Sequence, residues 1–301
     1  MGSIGLVAAP LTSEGQQAGR MYRIGYLGST SNSSYQAQLV EALRQGLRDL
    51  GYVEGKNLTV EYRWAEDKYE RLPDLAAELV SLNVDLIVTH GTPGSRAAKQ
   101  ATTTVPIVMA TSGDAVATGL VTSIARPGGN LTGSTFFFPE LNSKRVELLK
   151  ETLPRASRIV ALGNADNPSI IPALKAMEST AKSLKVKLEA VQIRGPKDLA
   201  GAFSPMVKRG VDGVVLIDDP MLIANARQLT DLSAQNRIPA IGFREYAHAG
   251  GLMAYGVNLP EIWPRAAVFV DKILKGAKPE DLPIEQATRF EFVINLNEWA
   301  T

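Results

Sequence analysis

Three short phrases of this chain occur twice, in the same order and at similar offsets. Arg23-Ile24-Gly25-Tyr26-Leu27-Gly28 returns as Arg158-Ile159-Val160-Ala161-Leu162-Gly163, Val84-Asp85-Leu86-Ile87-Val88 as Val211-Asp212-Gly213-Val214-Val215, and Val105-Pro106-Ile107-Val108 as Ile238-Pro239-Ala240-Ile241. Each is a short apolar, β-branched run of the kind that forms a buried strand. In the first half, strands are expected at Tyr22–Gly28 and at 58–63, 84–89 and 106–110. Amphipathic stretches separate them: Leu39, Leu43, Leu47 and Leu50 recur at helical spacing before Gly51, a natural C-cap, and residues 72–82 follow the same period. Alternating strand and helix implies parallel α/β architecture, and its repetition implies two similarly built lobes. The expected fold class is therefore α/β, with two doubly wound parallel-sheet lobes. A chain of 301 residues is long enough to bury two such cores.

Composition removes several chemistries. Lys plus Arg number 32 against 31 Asp plus Glu, so no overall charge drives the chain toward nucleic acid or an anionic membrane. There is no cysteine and there are two histidines, which excludes disulfides, thiolate nucleophiles and nearly every zinc arrangement. No metal site and no cofactor are expected: Gly25 and Gly28 lack the third glycine of a dinucleotide fingerprint, no Walker lysine follows, and no G-x-S-x-G elbow occurs. At the amino end, Ile4 to Leu11 is apolar and Ser13-Glu14-Gly15 has the small-x-small pattern of a signal-peptidase site, without a basic segment before it. Residues 1–21 are read as a signal-peptide remnant or a disordered tail, and the mature chain as an exported, periplasmic protein.

In doubly wound sheets, ligands meet the loops at the carboxyl ends of the strands. Those loops are small and polar here. Ser29, Thr30, Thr92 and Ser95 offer hydroxyls and helix amides suited to a carboxylate, and each is equally an ordinary N-cap residue. Asp114 is either a ligand contact or a cap. In the second half Asn164, Asp218 and Asp219 hold the matching loops, with Asp219 preferred over Asp218 as acceptor for a ligand amine; the alternative is a turn before Pro220. Phe137, in the aromatic run at 136–138, together with Phe243 and Tyr255, is placed to stack on a ligand or to fill core. His90 ends a strand and either lines the cleft or caps a carbonyl.

At these residues the sequence resembles the ABC transporter substrate-binding protein family of the type I periplasmic-binding fold, whose relatives include tryptophan- and tyrosine-binding receptors. RIGYLGS, GLRDLGYVEGKNL, VDLIVTHGTP, ARPGGNLTG, GFREYAHAGGLMAYG and DKILKGAKPEDLPIEQ carry the resemblance, which extends over residues 22–296. It implies three crossovers between the lobes, near 134–138, 255–258 and 281–285. Gly128-Gly129-Asn130 and Gly250-Gly251, flanking strands outside the repeats, support the first two. The lobes are then 22–135 plus 258–282 and 136–257 plus 283–301. Family members continue beyond VINL with a helix and a hydrophobic segment, where this sequence reads Asn297 to Thr301.

The resemblance implies a solute-binding protein of an ABC importer, working as a monomer with a membrane permease and a small organic solute, an amino acid or aromatic compound being the first expectation. A ligand-sensing partner of a membrane signalling protein is the alternative. No nucleic-acid partner is expected, because a helix-turn-helix headpiece does not fit in the stretch before Tyr22. No catalytic constellation is visible, so the chain is not read as an enzyme.

Overall fold

The computed structural model describes residues 20–31, 34–136 and 138–296. The signal-peptide reading, Phe137 and the stretch after Leu296 lie outside the described residues. In the first half, β1 (Tyr22–Gly28), α1 (Ser34–Asp49), β2 (Leu58–Trp64), α2 (Leu72–Ser81), β3 (Leu86–His90), α3 (Gly91–Ala101), β4 (Ile107–Ser112) and β5 (Leu131–Thr135) alternate as the periodicity requires. The second half runs α4 (Phe138–Thr152), β6 (Arg158–Asn164), α5 (Ile170–Ser183), β7 (Lys187–Ile193), α6 (Leu199–Lys208) and β8 (Gly213–Leu216). After these come α7 (Pro220–Ala224), α8 (Ala226–Gln235), β9 (Ala240–Gly242), α9 (Arg244–His248) and β10 (Met253–Gly256). Then follow α10 (Leu259–Leu274), β11 (Glu285–Gln286) and β12 (Glu291–Ile294).

Two sheets of six strands result, ordered β11-β5-β4-β3-β1-β2 and β12-β10-β9-β8-β6-β7. Every pairing is parallel except β10 with β12. The orders are the same when β1 to β5 are read as β6 to β10, so the repeated phrases mark a duplicated lobe. Equivalent side chains do equivalent work: the Asp85 carboxylate accepts the Arg23 amide at 2.7 Å, and Asp212 accepts the Arg158 amide at 2.9 Å, each fixing the start of a central strand. Central strands are buried on both faces, as parallel sheets covered by helices must be, whereas the edge strands β2 and β7 are only partly so.

The chain passes from one sheet to the other after β5, after β10 and after β11. The third passage corrects the expected 281–285. Thr132 Oγ1 donates to the Leu282 carbonyl, β11 pairs with β5 through Glu285↔Ser134, and the Ala287 amide donates to the Thr135 carbonyl. The segment stays zipped to the first sheet until Ala287, and the crossing falls at 288–290. Helix α10 returns to the first lobe and packs along α1, where Gly46 permits close approach: a Cβ there would lie 2.9 Å from the Ala267 methyl.

Candidate ligand-binding site

A cavity with ≈ 650 Å³ of atom-free space, part of it continuous with solvent, lies between the lobes. It sits against the carboxyl ends of β3, β4, β8 and β9, beside the point where strand order reverses, which is where open α/β sheets hold ligands. Apolar side chains make most of the wall, among them Leu39, Phe136, Phe138, Phe243 and Trp263. Polar atoms come from strand ends, from the loop after β8 and from the helices α1, α3, α9 and α10 that border the cavity.

On the first-lobe side, His90 caps α3 with its ring packed on Trp263 at 5.3 Å. Burial pushes the imidazole down to about 4, so it is neutral near pH 7. His90 Nε2, Trp263 Nε1 and Thr111 Oγ1 are buried without a hydrogen-bond partner, and all three residues line the cavity. On the second-lobe side, Glu245 on α9 is 9% exposed; its Oε1 accepts the Tyr35 hydroxyl at 2.7 Å, while its Oε2 is buried and unpartnered. Burial raises the Glu245 carboxyl above the ordinary range, and Asp218 raises it further. Burial likewise raises the Tyr35 phenol, with Glu245 adding to the effect.

Asp218 is held by Arg145, a fully buried guanidinium from α4 that donates to both carboxylate oxygens at 2.5 and 3.1 Å. Arg145 also donates to the carbonyls of Leu216 and Tyr255, so one side chain ties the loop after β8 to β10. Asp219 caps α7: Oδ1 accepts the Met221 and Leu222 amides, the Tyr69 hydroxyl and Asn164 Nδ2, and Oδ2 accepts Asn167 Nδ2. Burial raises its carboxyl, against the opposing effect of Asn167 and the other donors.

Five of the residues singled out in the sequence meet at the cavity wall: His90, Thr92, Asp218, Asp219 and Phe243. Asp219 is there as the cap of α7, as the turn reading has it, with four donors on Oδ1 and Asn167 on Oδ2. Asn164 lies behind it, and Asn167, three residues on, takes the place at the wall. Ser29 Oγ donates to the His90 carbonyl, Thr30 Oγ1 to Gln36, and Ser95 Oγ to the Gly91 carbonyl one turn back in α3. Asp114 accepts the Val116 and Ala117 amides in its own turn, and the Tyr255 ring stacks on Phe290 at 5.8 Å. None of Ser29, Thr30, Ser95, Asp114 and Tyr255 lines the cavity, because each hydroxyl, carboxylate or ring finds a local partner first. Tyr35, Arg145, Glu245 and Trp263 were missed: they lie in helices of ordinary composition, and only the Arg-Glu-Tyr phrase after β9 hinted at one of them.

The lobes touch across the cleft. Besides Tyr35 with Glu245 and Tyr69 with Asp219, Thr92 Oγ1 and Ser169 Oγ lie 2.6 Å apart. Gly91, at φ +71°, faces Pro220 so closely that a Cβ would sit 2.5 Å from its Cγ.

Two lobes of parallel sheet closed over a cavity at their switch points define a two-lobed solute receptor. The sequence profile of the ABC transporter substrate binding protein family matches residues 31–300, and the chain belongs to that family. It is a family of solute-binding proteins and not of enzymes. The tyrosine-binding protein of Clostridioides difficile strain R20291 is 26% identical over 252 residues, 83% of this chain and 72% of that protein. Among solved structures, an ABC domain in complex with L-Trp from Streptococcus pneumoniae has a TM-score of 0.83 at 22% identity, covering 91% of this chain and 92% of its own. A conserved domain protein of Vibrio cholerae O1 biovar El Tor N16961 reaches 0.85 at 26%, covering 93% of each chain.

Proposed function

We propose that this chain is the extracytoplasmic receptor of an ABC importer and that it closes on one small, largely apolar organic solute, an aromatic amino acid being the first choice. The observation that carries the reading is the cavity, with aromatic walls and buried polar atoms from both lobes left without protein partners. Each such atom costs the desolvation of a polar group, about 1 to 3 kcal/mol, until a partner meets it. A solute that meets them stabilises the closed form. The relative that binds tyrosine and the structure holding L-Trp support the amino-acid class.

The moving units in this reading are 22–135 with 258–287 and 138–257 with 288–296. Closure needs a few hinge residues at the passages and no covalent chemistry. Among the described residues no helix is long and apolar enough to cross a membrane, so delivery to a separate permease fits the fold. Native mass spectrometry of the purified protein identifies the solute, and calorimetry with that compound gives its affinity. Loss of uptake of the labelled compound in a strain lacking the protein confirms transport. Unchanged uptake with a lost sensory response moves the protein to signalling, and conversion of the compound moves it to the enzymes.

A further inference from the structure

Resting on the reading of this cavity as the solute site, we infer that Glu245 receives a basic nitrogen of the solute. Among the described residues three carboxylates line the cavity, Asp218, Asp219 and Glu245, and no lysine or arginine does. Two of the three are already answered. Asp218 faces the Arg145 guanidinium in a two-oxygen pairing, and Asp219 is consumed by backbone amides, two asparagines and Tyr69. Glu245 alone keeps an unmet oxygen, and it is nine-tenths buried.

The positive charges near it are already paired. Arg244, which partly offsets the raised Glu245 carboxyl, donates from Nε to Glu291 Oε2 at 2.6 Å, and Arg145 is fixed on Asp218. A nine-tenths buried carboxylate with a second carboxylate near it and no ion-pair partner of its own is suited to receive a cation. The Tyr35 hydroxyl orients it from the facing lobe, so the group is presented in one geometry only when the cleft is closed. The first-lobe side adds three unpartnered atoms: Trp263 Nε1, a pure donor, and the Thr111 hydroxyl and His90 Nε2, which can donate or accept. The cavity thus offers a carboxylate on the second lobe and at least one free donor on the first. That polarity matches a solute with ammonium at one end, an acid or hydroxyl at the other, and an apolar body between.

Calorimetry with three sets of probes tests the assignment: L-tyrosine and L-tryptophan, their decarboxylated amines tyramine and tryptamine, and the acids that lack the amine, 3-(4-hydroxyphenyl)propionate and indole-3-propionate. Native protein should bind the amine-bearing probes at least about tenfold tighter than the matching acids, as expected of a charge-assisted hydrogen bond in a closed site. Glu245→Gln keeps an acceptor for Tyr35 and removes the charge; it should erase that preference. Ala224→Trp fills the cavity wall and should abolish binding of every probe. Acids that bind as tightly as their amine-bearing partners, or a Glu245→Gln variant that keeps the tenfold preference, overturn the assignment while leaving the site in place. Binding that survives Ala224→Trp, or no binding of any probe by native protein, overturns the reading of the cavity as the site for this class and the assignment with it.

Discussion

Asp218 and Asp219 are neighbours with opposite duties, because successive side chains leave extended backbone on opposite sides. One turns to Arg145 in the interior and the other caps α7 at the cleft. Asp218→Ala strands a buried guanidinium and should lower stability by about 3 to 5 kcal/mol. Asp219→Ala removes a cap and should cost about 1 to 2 kcal/mol. Chemical denaturation separates the two, and equal losses would contradict the assigned roles. The acid pair was legible in the sequence as a turn with carboxylates. What it could not show is that Arg145, 73 residues earlier, reaches Asp218, since such pairing depends on how α4 packs on the second sheet. Glu245 gives a pH dependence. The groups facing it are Tyr35 on α1, Asp218 after β8, and Arg244 with its partner Glu291. Its carboxyl is raised, so it holds a proton to higher pH than an ordinary glutamate, and an ammonium ligand needs it ionised. Affinity for tyramine should therefore fall as pH drops through the raised carboxyl range, and Glu245→Gln should flatten that profile. A native profile as flat as the variant's would contradict the role.

Among the elements, the start of α3 is where local geometry and lobe closure meet. Gly91 has φ +71°, a conformation that costs a side-chain-bearing residue roughly 1 to 2 kcal/mol, and it also abuts Pro220 of the other lobe. Gly91→Ala should shift the protein toward an open form and weaken solute binding, visible as a larger radius of gyration by small-angle scattering. A variant that stays as compact as native with undiminished affinity would show that this approach does not govern closure. Strands of the repeat were legible because apolar, β-branched runs specify a buried parallel sheet with little help from elsewhere. Residues 285–286 were not: Glu-Gln carries no strand signal, and its pairing with β5 comes from the hydrogen bonds of Leu282 and Ala287 around it. The missed passage at 288–290 follows from the same cause.

For the molecule as a whole, each buried apolar cluster contains residues of both lobes, and polar contacts cross the cleft between the lobes. Asp67 stands near those contacts, with Oδ1 buried and unpartnered and its carboxyl pushed up to about 6 by burial, by Asp219 across the cleft and by Glu66. A carboxyl raised in the closed form opposes closure when ionised. The penalty is absent below the ordinary value of 3.8, grows toward about 6 and is complete above it, so closure should be favoured as pH falls through this window and Asp67→Asn should remove the dependence. Closure should be driven by the solute, and the absence of native cysteine makes the motion directly measurable. Spin labels on Glu70→Cys and Lys197→Cys, exposed residues on the two sides of the groove at the cleft mouth, report the distance between lobes. Adding the solute identified by mass spectrometry should collapse a broad, long distribution into one short, narrow distance. A distribution unchanged at saturating solute would contradict the account.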